Sequence, residues 1–209
     1  MLLALPAHAA VSAIGVGSFS PTASLQTFND AATGTDVNGL VLGGLSFSYS
    51  LGNAQVVVGS GPGNTNSVND PSAVSTGDPS GVLRIALSEA SLQFGFGFAL
   101  LGPSAIPDGT TISLFSGATP IGSLVYGAAP DPSFSGGFAG IESTSAFDRV
   151  ELTFNPAAIA WAVDNIRVTP VPEPSTLALF ALGALVIALR RGQGLVTSAS
   201  SEAGGATRG

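Results

Sequence analysis

Between Ser91 and Leu101 the chain reads SLQFGFGFALL, with an apolar side chain on every second residue. Leu92, Phe94, Phe96, Phe98 and Leu100 share one parity, and Ser91, Gln93, Gly95 and Gly97 share the other. A helix, with its repeat of 3.6 residues, scatters such a pattern around its circumference; a strand, with a repeat of two, gathers it on one face. Three phenylalanines on that face need a second apolar layer to cover them. The same period recurs elsewhere. Val150, Leu152 and Phe154 oppose Arg149, Glu151 and Thr153, while Leu83, Ile85 and Leu87 oppose Arg84 and Ala86. Each of these reads as a strand with one face buried.

Further strands are expected over residues 40–50, 54–58, 111–116, 121–126, 134–141 and 159–168. Turn-formers separate them: 28 Gly and 14 Pro in 209 residues make one residue in five, against about 12% in average usage. About nine short strands punctuated this way predict an all-β domain over residues 11–169, an antiparallel β-sandwich of jelly-roll-like kind. The last strand changes parity. Trp161 and Val163 lie on one side, Ile166 and Val168 on the other, which requires a bulge near Asp164 and Asn165.

The charge balance narrows the function classes. There are 13 acidic residues against 6 basic ones, no lysine, and a formal charge of −7. Nucleic acid is not an expected partner, since phosphate binding needs Lys and Arg. Between Val11 and Thr169, eleven acids against Arg84, Arg149 and Arg167 give 3 − 11 = −8, which favours solubility and cation binding. The absence of cysteine excludes disulfides, thiolate metal sites and a cysteine nucleophile.

His8 is the only histidine and precedes the expected domain, so neither a Ser-His pair nor a histidine zinc site is expected within residues 11–169. No G-x-S-x-G and no P-loop occurs. The chain is therefore not expected to be an enzyme, although a pair of carboxylates meeting in space stays open as an alternative.

Calcium is a possible cofactor, because hard cations take carboxylate, amide and backbone oxygens. The candidates are Asp70 and Asp78, in a turn-rich loop with Asn64, Asn66 and Asn69, and Asp164 at the bulge. The loop lacks the order of an EF-hand and reads equally as a plain surface loop. Asp164 is either a ligand or a carboxylate that satisfies backbone N–H groups at the bulge. Trp161 either stacks on a sugar ring or packs in the core beside Val163.

Both ends read as targeting signals. Ala7-His8-Ala9 follows a short apolar run and fits a small-x-small cleavage site at Ala7 and Ala9, so residues 1–10 are expected to be the remnant of a secretory signal that starts upstream. Near the other end, residues 176–189 carry no charge and are apolar on every side, through Leu177, Leu179, Phe180, Leu182, Leu185, Val186, Ile187 and Leu189. Pro172 and Pro174 precede this run, and Arg190 and Arg191 close it in the manner of a cytoplasmic stop-transfer charge. It predicts a single short C-terminal transmembrane helix. Residues 192–209, rich in Gly, Ser and Ala, are expected to form a disordered tail.

Taken in order, Pro172-Glu173-Pro174, the short apolar run and the arginine pair resemble the PEP-CTERM sorting signal of Gram-negative bacteria, over residues 171–191. The stretch AWAVDNIRV over residues 160–168, leading directly into it, resembles the closing strand of many ectodomains of that family. The resemblance implies recognition of Pro172, Glu173 and Pro174 by exosortase, a membrane protease, with residues 170–191 as the signal. It implies transient anchoring in the inner membrane, followed by release or transfer to the cell surface. A structural or adhesive role in the exopolysaccharide matrix of a biofilm is the function expected. Alternatives from other classes are a calcium-assisted carbohydrate-binding module and a carboxylate-dependent enzyme. Family members normally finish within a few residues of the arginines, whereas eighteen residues (192–209) follow here.

Overall fold

A computed structural model describes residues 9–102 and 104–171. Ala7, the Pro-Glu-Pro motif, the apolar segment, Arg190, Arg191 and the tail lie outside the described residues. Among those described, no helix is long and apolar enough to cross a membrane.

The described chain is all-β and antiparallel, with a single 3-10 turn at Val16–Ser18. Its strands are β1 (Val11–Ala13), β2 (Ser24–Gln26), β3 (Val41–Leu42), β4 (Leu45–Tyr49), β5 (Val56–Gly59), β6 (Ser72–Ser75), β7 (Leu83–Leu101), β8 (Ile106–Ser116), β9 (Thr119–Ala128), β10 (Phe134–Phe154) and β11 (Trp161–Pro170). They form one hydrogen-bonded network in the order β5-β6-β11-β7-β10-β8-β9, with β4 joining β7, β1 joining β10 and β2 joining β11.

Two very long strands explain how one network becomes a sandwich. The first part of β7 pairs with β4, and the last part of β10 pairs with β8. The second part of β7 pairs with β11 and with the first part of β10. Each long strand thus serves both layers. They cross between layers where the register slips, between Glu142 and Phe147 and again between Phe147 and Arg149, opposite exposed residues 88–90 of β7. Bulged strands that switch layers are a recognised way to turn such a corner.

The sequence pattern divides these segments into separate strands at residues 83–87 and 91–101, and again at 134–141 and 149–154. The structure joins them, because the polar residues between them bend at the corner without leaving the extended conformation.

One core fills the space between the layers. Leu83, Ile85, Ile112, Leu114, Val150 and Leu152 meet Phe94, Phe96, Phe98, Ile141, Val163 and Ile166 there, all fully buried. Each such side chain contributes roughly 1.5–3 kcal/mol relative to exposure, so the alternating phenylalanines of β7 are a main source of stability. The expected change of parity in β11 is present: the β7–β11 register slips between Asp164 and Arg167, and Asn165 takes a φ of 52°.

The other face of β7 departs from the one-sided pattern. Ser91, Gln93, Gly95, Gly97 and Ala99 are buried as well. Residues 14–20 cover one end of this face and residues 61–70 the other. They can approach because the strand presents almost no side chain there. A Cβ at Gly95 would lie 2.6 Å from the Phe138 ring and 2.8 Å from the Phe19 ring; at Gly97 it would lie 1.9 Å from the Ser67 carbonyl oxygen. Val68, Ala99 and Ala162 form a small second cluster beneath the loop.

Candidate functional site

The compact unit ends at Val171, and Pro172 is the next residue. The strand leading to that boundary, β11, is internal to the sheet. β7 lies along one side of it; β6 pairs with its first half and β2 with its second half on the other. Trp161, Val163 and Ile166 anchor it in the core.

Its last residues are held differently, by buried polar groups. The Ser91 hydroxyl donates to the Thr169 carbonyl, with the Gln93 carbonyl 2.9 Å away. The Thr169 hydroxyl donates to Gln93 Oε1 at 2.7 Å, and the Ser20 N–H donates to the same oxygen at 3.0 Å. Gln93 Nε2 donates to Glu142 Oε1 at 3.1 Å and lies 3.4 Å from the Ser18 carbonyl. Every hydrogen-bonding atom of this buried amide is engaged, as burial demands. The Val171 N–H then closes the strand on the Ala90 carbonyl at 2.8 Å. A cleft of about 210 Å3 beside this exit is lined by residues that include Ser24, Gly43, Gly44, Ser88, Glu89 and Pro170.

The opposite terminus is fastened near the same corner. The Ala10 N–H donates to Thr144 Oγ1 at 3.1 Å and the Thr144 N–H donates back to the Ala10 carbonyl at 3.0 Å, after which β1 pairs with β10. Ala9 is half-buried.

The three calcium candidates fall in different settings. Asp164 is 1% exposed; one oxygen accepts the Asn69 N–H at 3.1 Å and the other, Oδ1, has no partner. Burial pushes its carboxyl up from the usual aspartate range, against the downward pull of the backbone amides of Asn165, Asn69 and Phe28, and the nearby Asp70 charge adds to the rise. Asp70 is exposed and accepts the Gly61 N–H at 2.9 Å. Asp78 accepts the Ser80 N–H at 2.9 Å, and hydrogen bonds from Ser80 hold its carboxyl below the ordinary value. Among the described residues no three acidic or histidine side chains stand together as a metal cage.

Asp164 and Asn165 instead tie down the covering loop. The Asn165 amide donates to the Ser67 carbonyl at 2.8 Å, beside the Asp164–Asn69 bond. Of the two readings open for Asp164, a bulge carboxylate accepting a backbone N–H accounts for one of its oxygens.

Trp161 is 1% exposed, stacks on Phe154 with ring centroids 4.3 Å apart, and donates its Nε1–H to the Pro79 carbonyl at 3.1 Å. It is a core residue and offers no face to a sugar. Tyr49 is 4% exposed, its hydroxyl donating to the Asp78 carbonyl and accepting the Gly81 N–H. Tyr126 is half-buried and donates to the Gly140 carbonyl; burial pushes its hydroxyl up to about 12. Sequence reasoning missed the Ser91–Gln93–Thr169 network. The polar parity of Ser91 and Gln93 signals an exposed face, and nothing local reveals that residues 18–20 cover it.

Comparison with known proteins places the PEP-CTERM protein-sorting motif at residues 170–192. No curated protein matches the chain. Among solved structures, two point variants of CBM29-2, a family 29 carbohydrate-binding module, are similar at 9% identity and a TM-score of 0.37, over 71% of this chain and 90% and 91% of theirs. CBM29_1, a family 29 module from Piromyces equi, is similar at 12% identity and a TM-score of 0.37, over 72% of this chain and 92% of its own. Likeness at that level carries no argument about ligand or activity.

Proposed function

We propose, from the PEP-CTERM protein-sorting motif that this chain carries at residues 170–192, that it is an exported protein sorted to the cell envelope and processed by exosortase at or near Pro172-Glu173-Pro174. One observation carries the reading: the motif begins where the hydrogen-bonded domain ends, at Pro170 and Val171. Residues 177–189 serve as a transient membrane anchor in this reading, and Arg190 and Arg191 as its stop. The domain is left intact by removal of everything beyond it.

The role of the domain is structural or adhesive, within an extracellular polysaccharide matrix, and not enzymatic. The burial of Trp161 and Tyr49 and the engagement of Tyr126 support this over a carbohydrate-binding platform built on those rings.

The test is the mass and C-terminal sequence of the mature protein, recovered from surface and secreted fractions of the native host. A C-terminus within residues 171–175 is the expected result. A full-length chain ending at Gly209 in the membrane fraction overturns the sorting reading.

A further inference from the structure

Pro170 and Val171 belong to two things at once. They are the first residues of the sorting motif, and they are still bonded to β7: Pro170 is in register with Ser91, and the Val171 N–H donates to the Ala90 carbonyl at 2.8 Å. A cleft that takes its substrate as an added strand needs backbone N–H and C=O groups free of other partners. On the N-terminal side of Pro172 the Thr169 carbonyl and the Val171 N–H are already engaged, by Ser91 and Ala90.

β11 changes character just there. Up to Val168 it is held by apolar burial and by neighbours on both sides. At Thr169 the hold passes to Ser91 and Gln93, whose bonds water can replace when the strand end lifts away. Lifting residues 169–171 exposes one threonine, one proline and one valine and leaves the core unopened. Local openings of this small size are the low-energy end of native motion. They free about 10 Å of extended backbone upstream of Pro172.

The geometry points to Ser91, Gln93 and Thr169 as a latch: positioning residues that keep the chain folded up to the sorting motif and set the rate at which the membrane protease gains it. This rests on the sorting reading above and adds what in the folded domain controls that step. The latch lies outside the motif and touches no reacting bond.

The test follows conversion of full-length precursor to mature protein by pulse–chase in a host that carries the protease. Five chains are compared: wild type, Thr169→Val, wild type with a six-residue Gly/Ser spacer after Val171, the two changes together, and Glu173→Ala as the unprocessed control. Thr169→Val removes one buried hydrogen bond at little change in shape, and processing is expected to quicken about fivefold. The spacer supplies free backbone without touching the latch, so it speeds processing at least as much with an unchanged thermal midpoint. The combination is expected to run no faster than the spacer alone, a non-additivity that a merely structural role does not produce.

Equal rates for wild type and Thr169→Val overturn the latch, as do effects of latch and spacer that simply multiply. Ser91→Ala provides a second latch variant should Thr169→Val fold poorly. A wild-type chain that stays full length, indistinguishable from Glu173→Ala, overturns the sorting reading itself and the latch with it; normal processing without latch dependence overturns the latch alone.

Discussion

At Asp164 the bulge of β11 places a carboxylate almost out of reach of water and supplies a hydrogen bond to only one of its oxygens. The charged form is the one that suffers, so the folded protein favours the proton, and Asp70, across the loop, reinforces this. The sign follows from linkage. With its pKa raised on folding, the group's favourable contribution is complete below about pH 4 and is lost as pH rises through the folded value. Asp164→Asn has no charge to bury. Against that variant, wild type is expected to lose thermal stability as pH rises above about 4, while below pH 4 the difference between the two stays constant. Melting curves across that range decide the matter; parallel curves would show that Asp164 does not titrate on folding.

Among the elements, β7 and the loop laid across it depend on one another. Gly97 is where the Ser67 carbonyl comes down, so Gly97→Ala has to lift residues 61–70 or bend the strand. Overpacking of this kind costs about 3 kcal/mol. At Gly59, on edge strand β5, nothing lies within 4 Å of an added methyl, and Gly59→Ala is expected to shift stability by less than about 1 kcal/mol. Urea unfolding of the two variants separates them. The pair also marks how far the sequence could be read. The alternation through Phe94, Phe96 and Phe98 announced a strand and its core face, and the parity change from Val163 to Ile166 announced the bulge.

What lay opposite the core did not show. Glycine at residues 95 and 97 looks the same on a solvent face and under a covering loop, and the choice is made by residues 14–20 and 61–70, far away in sequence. β6 was hidden for a similar reason: Ser72–Ser75 reads as loop, and is a strand because β5 and β11 pair with it. The candidate site was half legible. The Pro-Glu-Pro motif stood out as a local pattern, while the latch beside it depends on contacts between residues more than seventy positions apart.

For the molecule as a whole, those distant pairings set the pace of folding. Val11 pairs with Ser143, and Ser24 with Val168. A domain built from such long closures is expected to fold on the scale of milliseconds to seconds, not microseconds. Trp161, the only tryptophan in the chain, is stacked on Phe154 in the core and reports the event. Stopped-flow refolding followed by its fluorescence checks the expectation, and a submillisecond single phase would contradict it.

The central placement of β11 has a mechanical side. A protein held to a membrane through its C-terminus takes any drag from flowing solvent or a tugging polymer at that point. An edge strand pulled from its end peels away one bond after another. Between Ala162 and Val168 β11 is bonded on both sides, to β7 and to β6 and β2, so once the terminal residues 169–171 have lifted, a pull along its axis loads two rows of hydrogen bonds in shear. On the sorting reading proposed above, the anchor follows an internal strand of the sheet and not an edge strand.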